Sequence, residues 1–292
     1  MQEKRMLWLV LLFGFSLSAQ VKGIVVDENN QPIPYVNIWV QNENNGTTSE
    51  ENGEFSIHVT GENKTLIFSA LGYEKKIIKA SQTKEVVLKT LALELNEIVI
   101  FKRFETKQTE IGRTQNETYQ AFDNGPKIDV KFFPYLLKYK KTKYIKKVSI
   151  YTDSNIENAS IRIHFYSLDA DGFPGEELLK KDYIVRVNKG MKKSTFDITD
   201  FNLIMPKNGI FVGFEKLLIE KNKIETTITD YNSNSTKIMK TYCPFVLYNY
   251  VERENLYTFS GGKWNKQNNP IVSESSNILK GNEPAIYLTL TN

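Results

Sequence analysis

The chain has 292 residues, of which 40% are hydrophobic, 25% charged and 12% aromatic, a balance typical of globular proteins rather than disordered or fibrous ones. The net charge is +4, which is too small to indicate a nucleic-acid partner. One cysteine, Cys243, excludes an internal disulfide and a cysteine-based zinc cluster, and two histidines argue against a histidine-rich metal site.

The first residues have the pattern of a secretory signal peptide. Lys4 and Arg5 precede an apolar run at residues 6–15, which is too short to span a membrane. Small residues follow, so we expect residues 1–19 to be the signal peptide, with cleavage after Ala19 or, alternatively, after Ser18. No other apolar stretch reaches membrane-spanning length. We therefore expect an exported protein of the periplasm, the outer-membrane surface or the extracellular space, with no transmembrane span in the mature chain.

Residues 20–101 consist of short β-branched segments separated by turn residues. Alternating apolar and polar side chains predict strands at residues 21–26, 36–40, 55–59, 66–70, 75–78, 85–88 and 97–100. Residues 42–48 are predicted to be a polar loop. Seven short strands in this span favour a β-sandwich.

The same residues carry a family resemblance. Residues 21–27 (VKGIVVD), 32–38 (PIPYVNI), 52–55 (NGEF) and 68–73 (FSALGY) resemble the carboxypeptidase-regulatory-like domain, and residues 95–100 (LNEIVI) resemble its closing segment. The resemblance implies a seven-stranded, transthyretin-like β-sandwich, common at the front of bacterial outer-membrane receptors and exported proteins. It implies an accessory module without peptidase chemistry.

Residues 102–118 are polar and aperiodic, which predicts a linker. From residue 119 to 292 the strand patterns return, and residues 215–227 fit either a short helix or an extended strand. Eight or so strands here predict a second, jelly-roll-like β-sandwich, so the expected fold class is all-β throughout. Residues 165–175 and 206–214 are similar to jelly-roll modules of bacterial surface proteins, some of which bind carbohydrate. The predicted strands are residues 148–152, 161–165, 183–187, 194–198, 209–214, 245–251, 256–259 and 285–290.

The sequence contains no catalytic motif that we can identify. His58 and His164 lack the spacing of a zinc peptidase, and a nucleophile elbow, a P-loop and a dinucleotide fingerprint are all missing. Both histidines fit a surface position or a hydrogen-bonded position in a strand. We therefore expect a protein that is not an enzyme and needs no cofactor.

Asp169 and Asp171 precede Gly172 in a predicted turn. Two carboxylates at this spacing can direct oxygens at one calcium ion. The alternative is a turn in which the aspartate caps its own backbone. Calcium is therefore the one metal that the sequence leaves open.

Six lysines lie within residues 138–147, interleaved with Tyr139, Tyr144 and Ile145. They can form a basic strip for anionic glycan or lipid headgroups. Alternatively they protect an exposed sheet edge, since lysines discourage edge-to-edge pairing.

Seven aromatic residues lie within residues 242–264. Alternation along a strand from Phe245 places Tyr248 and Tyr250 on one face and Leu247 on the other, which is the better core face. Aromatic rings stack on the apolar faces of sugars, so Tyr248, Tyr250 and Trp264 form a candidate glycan platform. The alternative is that these rings fill the sandwich core.

Together these features predict a non-catalytic binding protein of the bacterial cell envelope that recognises glycan. The alternative is a structural or adhesion protein that docks onto an outer-membrane protein complex. The expected partners are thus a glycan or an envelope protein.

Overall fold

The computed structural model describes residues 18–61, 63–91, 103–113, 120–121, 125–230, 235–251, 257–267 and 281–292. Over these residues the regular structure is strand, interrupted by short 3₁₀ turns, so the predicted all-β class is confirmed. None of their helical segments has the length and apolar character needed to cross a membrane. The 3₁₀ turns are Ala80–Gln82, Leu137–Lys141, Thr199–Phe201 and Glu220–Asn222.

The N-terminal module is a sandwich of seven strands in two sheets, with orders β4-β1-β7 and β3-β2-β5-β6. Side chains of β4 alternate strictly between buried and exposed, as expected for a sheet with one face on the core. Phe55, Ile57 and Val59 from this strand pack against Ile38 and Phe68 of the facing sheet. The strands are β1 (Ser18–Val26), β2 (Asn37–Val40), β3 (Gly46–Thr48), β4 (Glu54–Thr60), β5 (Thr65–Ser69), β6 (Lys76–Lys79) and β7 (Glu85–Val87).

One strand of this module was not predicted. β3 lies in the segment expected to be a polar loop, and its pairing with β2 depends on backbone hydrogen bonds rather than on apolar side chains. The strand predicted at residues 97–100 lies outside the described residues.

The C-terminal module contains sixteen described strands. They are β8 (Gln108–Ile111), β9 (Gln120–Ala121), β10 (Ile128–Phe133), β11 (Tyr144–Ser154), β12 (Ala159–Leu168), β13 (Pro174–Glu177), β14 (Tyr183–Val187), β15 (Gly190–Asp197), β16 (Ile210–Lys216), β17 (Lys223–Asp230), β18 (Ser235–Tyr242), β19 (Phe245–Val251), β20 (Tyr257–Ser260), β21 (Lys263–Lys266), β22 (Gly281–Pro284) and β23 (Ile286–Thr291).

Two antiparallel sheets of seven strands each form this second sandwich. One has the order β13-β12-β16-β10-β20-β21, with β14 also paired to β12. The other has the order β22-β19-β11-β23-β8, with β15 beside β11 and β9 beside β19. The apolar faces of β12, β16, β11 and β23 enclose the main core between the sheets. β17 and β18 form a separate hairpin. Residues 223–227, for which the sequence allows either a helix or a strand, are therefore strand.

Part of the predicted linker belongs to this sandwich. Gln108–Ile111 pairs with β23, and Ile111 is buried in the main core. Phe104 and Glu105 also donate backbone hydrogen bonds to the carbonyl of Asn292. The linker prediction is wrong for these residues, because an edge strand can bind through its backbone while its side chains remain polar. Residues 102 and 114–118 lie outside the described residues.

The two modules are joined by polar contacts. The backbone amide of Leu218 donates to Thr48 Oγ1 at 3.1 Å, and the amide of Glu220 donates to Glu50 Oε1 at 2.8 Å. On the other side, the Arg162 guanidinium donates to the carbonyl of Tyr35. These bonds lie along the interface between the two modules, to which both contribute side chains. We call this interface the seam.

Candidate functional site

A crevice of about 200 Å³ opens at this seam, and we call it the junction crevice. The N-terminal module contributes Asn37, Ser69, Ala70 and Leu71. The C-terminal module contributes Ile128, Arg162, His164, Tyr166, Glu177, Asp182, Phe259 and Trp264. Its wall is therefore charged on one side and aromatic on the other.

β12 supplies the charged wall because of its alternation. Ile161, Ile163 and Phe165 point into the main core, so Arg162 and His164 point the other way, towards the N-terminal module. The His164 ring stacks on the Tyr166 ring two residues along, with centroids 5.4 Å apart and planes 13° apart. The seam thus buries charged side chains on a sheet face that would be solvated in an isolated sandwich.

Carboxylates surround both cations. Glu215 of the neighbouring strand β16 places one oxygen 2.9 Å from Arg162 Nη1 and 3.1 Å from His164 Nε2. Glu177 lies 2.8 Å from His164 Nδ1, and Asp182 lies 3.2 Å from Arg162 Nη2. This network fixes the orientation of every charged group at the floor of the crevice.

The network also changes the ionisation of its members. Burial disfavours the charged imidazolium, but the carboxylates of Glu177 and Glu215 outweigh burial and raise the pKa of His164 to about 9. Burial raises the pKa of Asp182, against the opposing effect of Arg162. For Glu215 burial is outweighed by Arg162 and His164, which lower its pKa. His164 is therefore a cation at neutral pH and donates from both ring nitrogens.

Trp264 forms the aromatic wall. It lies in β21 and is half-buried. Its ring meets those of Tyr166 and Phe259 edge to face, with centroid distances of 5.2 and 5.3 Å. The β20–β21 turn that carries it rests on the N-terminal module, where a Cβ on Gly262 would lie 2.5 Å from Ile67 Cδ1.

The predicted platform does not form as a unit. Tyr248 is only 4% exposed, and its hydroxyl donates a hydrogen bond to Asp129 inside the sandwich. Its expected outward orientation is wrong because β19 is covered on both faces, with Leu247 on the other side also fully buried. The backbone of Tyr250 pairs with Asn282, but its side chain lies outside the described residues. Of the platform members whose side chains the structure describes, Trp264 alone lines a crevice.

Asp169 and Asp171 lie in the turn between β12 and β13. Asp169 Oδ1 accepts backbone hydrogen bonds from Asp171 at 3.0 Å and Phe173 at 2.7 Å, and Gly172 has a φ of +82°. This is the geometry of the self-capped turn. Among the described residues no group of three acidic, histidine or cysteine side chains is placed to hold a metal ion.

The lysines of residues 138–147 do not form one strip. Three of them lie in the Leu137–Lys141 turn, Lys143 lies just before β11, and Lys146 and Lys147 lie in β11. Lys146 is paired with Glu105, whereas Lys138 and Lys143 lie over the rings of Tyr139 and Tyr144. Glu105, which precedes β8, therefore neutralises part of the charge of these lysines.

A larger cleft of about 650 Å³ lies elsewhere along the seam, beside Leu218 and Tyr242. Charges of both signs from the N-terminal module line it, including Lys22, Glu54 and Lys84. We did not predict either cleft, since each requires knowing how the two modules pack.

Comparison with known proteins identifies the N-terminal module. Residues 21–100 match the CarboxypepD_reg-like domain family, which confirms the resemblance seen in the sequence. The chain is 28% identical over 111 residues to TonB-dependent receptor P39 of Formosa agariphila, covering 35% of this chain and 11% of the receptor. It is 34% identical over 118 residues to TonB-dependent receptor P3 of the same organism, covering 38% of this chain and 12% of that receptor. The chain thus spans about a tenth of the length of these relatives.

Solved structures give weaker similarities. A DUF3823 family protein from Parabacteroides merdae aligns with a TM-score of 0.20 and 11% identity, covering 66% of this chain and 95% of that one. The infectious bursal disease virus Gx strain structure aligns with a TM-score of 0.24 and 8% identity, covering 88% and 57%. Scores this low establish no common fold.

Proposed function

We propose that the chain is an exported, non-catalytic protein of the bacterial envelope that binds glycan in the junction crevice. The observation that carries this proposal is the position of Trp264, whose half-buried ring borders a small concave site beside fixed polar groups. Carbohydrate sites need an aromatic face for the apolar C–H side of a sugar and hydrogen-bonding groups for its hydroxyls.

The polar groups of the crevice meet the second requirement. The Asp182 carboxylate keeps 29% of its side chain exposed and can accept from a sugar hydroxyl. Arg162 and His164 are held by buried carboxylates, so they would not need to reorganise when a ligand binds. A volume of about 200 Å³ suits one small polar ring rather than a folded peptide.

The envelope location has separate support. The curated relatives described above are TonB-dependent receptors, and an envelope location fits that similarity. The signal peptide expected at residues 1–19 agrees with export.

One observation favours the alternative, docking onto an outer-membrane protein. The β17–β18 hairpin pairs with no other described strand and exposes Ile228, Ile238 and Met239. Two-stranded hairpins are marginally stable in water by themselves, and exposed apolar residues are common where proteins associate.

Retention on immobilised polysaccharides tests the proposal. Purified protein is applied to cell-wall and capsule polysaccharides of the source bacterium, together with Trp264→Ala and Asp182→Asn. Phe104→Ala removes an exposed ring distant from the crevice in sequence and serves as the matched control. We expect retention by the wild type and the control, and loss of retention in both crevice variants.

Equal behaviour of all four proteins would reject the crevice as the glycan site. Co-purification with an outer-membrane protein that is abolished by Ile238→Ser, without any polysaccharide retention, would instead support the docking function.

A further inference from the structure

Three polar side chains lie inside the C-terminal sandwich with almost no exposure to solvent. They are Lys131 of β10, Asn249 of β19 and Glu283 of β22, with exposures of 0%, 0% and 1%. Burial of a lysine, an asparagine and a glutamate in one β-sandwich is costly unless their polar atoms find partners. The function proposed above uses none of the three.

Lys131 is held against Glu283. Its Nζ lies 2.9 Å from Glu283 Oε1 and donates to the carbonyl of Gly112 at 2.5 Å. The rings of Phe133 and Tyr287 flank the amine, with centroids 5.6 and 5.3 Å from Nζ. The ion pair is therefore enclosed by aromatic carbon rather than water.

Asn249 lies next to Glu283 in the neighbouring strand. The two residues are direct partners in the antiparallel register of β19 and β22, so their side chains project from the same face. Neither Nδ2 nor Oδ1 of Asn249 has a hydrogen-bond partner in the part of the chain that the structure describes. The Asn249 amide therefore loses the hydrogen bonds that water makes to it in the unfolded chain, and no protein hydrogen bond replaces them among the described residues.

We propose that Lys131 and Asn249 form an intramolecular isopeptide bond, with Glu283 carrying the protons. The carboxylate takes a proton from the Lys131 ammonium, and the neutral amine attacks Cγ of Asn249. A C–N bond forms between Nζ and Cγ, and the bond between Cγ and Nδ2 breaks. Glu283 delivers the transferred proton to Nδ2, which leaves as ammonia, and then takes up the second proton that Nζ loses as it becomes an amide nitrogen, so that Glu283 ends protonated. No oxidant, reductant or cofactor is required.

The surroundings suit this reaction. Only a neutral amine is a nucleophile, and the Glu283 carboxylate 2.9 Å from Nζ is placed to accept the proton that Lys131 must lose. One carboxyl group within hydrogen-bonding distance of the amine, on the same face as the amide, can serve first as base and then as acid. The product replaces an unpartnered primary amide by a bond that joins the two sheets.

Peptide mass spectrometry of the purified, exported protein tests the inference directly. We expect one branched proteolytic peptide that contains both Lys131 and Asn249, lighter than the sum of its parts by one ammonia, about 17 Da. Recovery of the two segments only as separate, unmodified peptides would overturn it. This measurement needs no variant.

Variants then assign the roles. Lys131→Arg and Glu283→Gln should each abolish the branched peptide, whereas Lys127→Arg, a matched change at a lysine paired with Asp129, should keep it. The intact mass of the wild type must be compared with that of Lys131→Arg, because cyclisation of an N-terminal Gln20 would also release ammonia. That loss would occur in both proteins, whereas the loss from the isopeptide bond would occur only in the wild type. Full formation of the branched peptide in Glu283→Gln would overturn the role of Glu283.

Discussion

His164 and Glu215 share a hydrogen bond of 3.1 Å between Nε2 and Oε2 at the base of the junction crevice, and the same carboxylate oxygen also accepts from Arg162. One oxygen of a buried glutamate therefore contacts both cations, which Glu177 and Asp182 also flank. The stability of this region and the order of the proposed binding site depend on it.

The ionisation of His164 predicts a stability that falls in alkaline solution. Its pKa is 6.5 in the unfolded chain and about 9 in the fold. The folded state thus gains stability that is fully present below about pH 6.5 and lost as the pH rises through about 9, up to roughly 3 kcal/mol. Urea unfolding at the two ends of this range measures it. His164→Gln should remove this component, and His58→Gln, a change at an exposed histidine, should leave it intact.

Glu215→Gln should destabilise the protein severely. Removing one partner of a buried ion pair costs up to about 3–5 kcal/mol when the remaining charge is uncompensated, and here Arg162 would keep only Asp182 and His164 only Glu177. Glu225→Gln provides the control, since the Glu225 side chain is 44% exposed in its pair with Lys223, which is expected to contribute less than about 1 kcal/mol. Denaturant titration distinguishes the two, and similar midpoints for both variants would contradict the network described here.

Tyr248 and Trp264 should have opposite roles. Tyr248→Phe removes the hydroxyl that binds the buried Asp129, so we expect a loss of about 1–3 kcal/mol in stability with polysaccharide retention unchanged. Trp264→Ala should abolish retention with a smaller effect than the roughly 3–5 kcal/mol expected for a fully buried ring. Loss of retention in Tyr248→Phe at a temperature where it is folded would contradict a purely structural role for the Tyr248 hydroxyl.

Hydrogen exchange should distinguish β8 from a linker. Backbone amides of Gln108–Ile111 that pair with β23 are expected to exchange slowly, at rates comparable to those of other edge strands. Exchange as fast as that of an unstructured peptide would show that this segment does not join the sandwich in solution.

Much of the fold could be predicted because it depends on local alternation. The strict pattern at Phe55, Ile57 and Val59 is visible in the sequence, and β4 follows it. β3 and β8 have no such pattern, since backbone pairing to an existing sheet holds them. The outward orientation expected for Tyr248 is wrong for a related reason. The alternation argument requires one exposed face, whereas β19 is covered on both faces.

The site could be predicted only in part. Trp264 was identified from its chemistry, but Arg162, Glu177 and Asp182 were not, because their role arises from the packing of one module on the other. A signal was present in the alternation of residues 161–165, where the face opposite the isoleucines carries Arg162 and His164 instead of small polar residues.

The approach of Gly262 to Ile67 has a consequence for the proposed binding site. Residue 262 has a φ of +89°, which glycine adopts without strain, and a Cβ there would lie 2.5 Å from Ile67 Cδ1. Because Cδ1 is the flexible end of the Ile67 side chain, a shift of that side chain would accommodate a methyl group, whereas the backbone strain would remain. Ile67 thus supports the turn that precedes Trp264, and we expect a change in the size of residue 67 to move Trp264 and alter the width of the crevice from the N-terminal module.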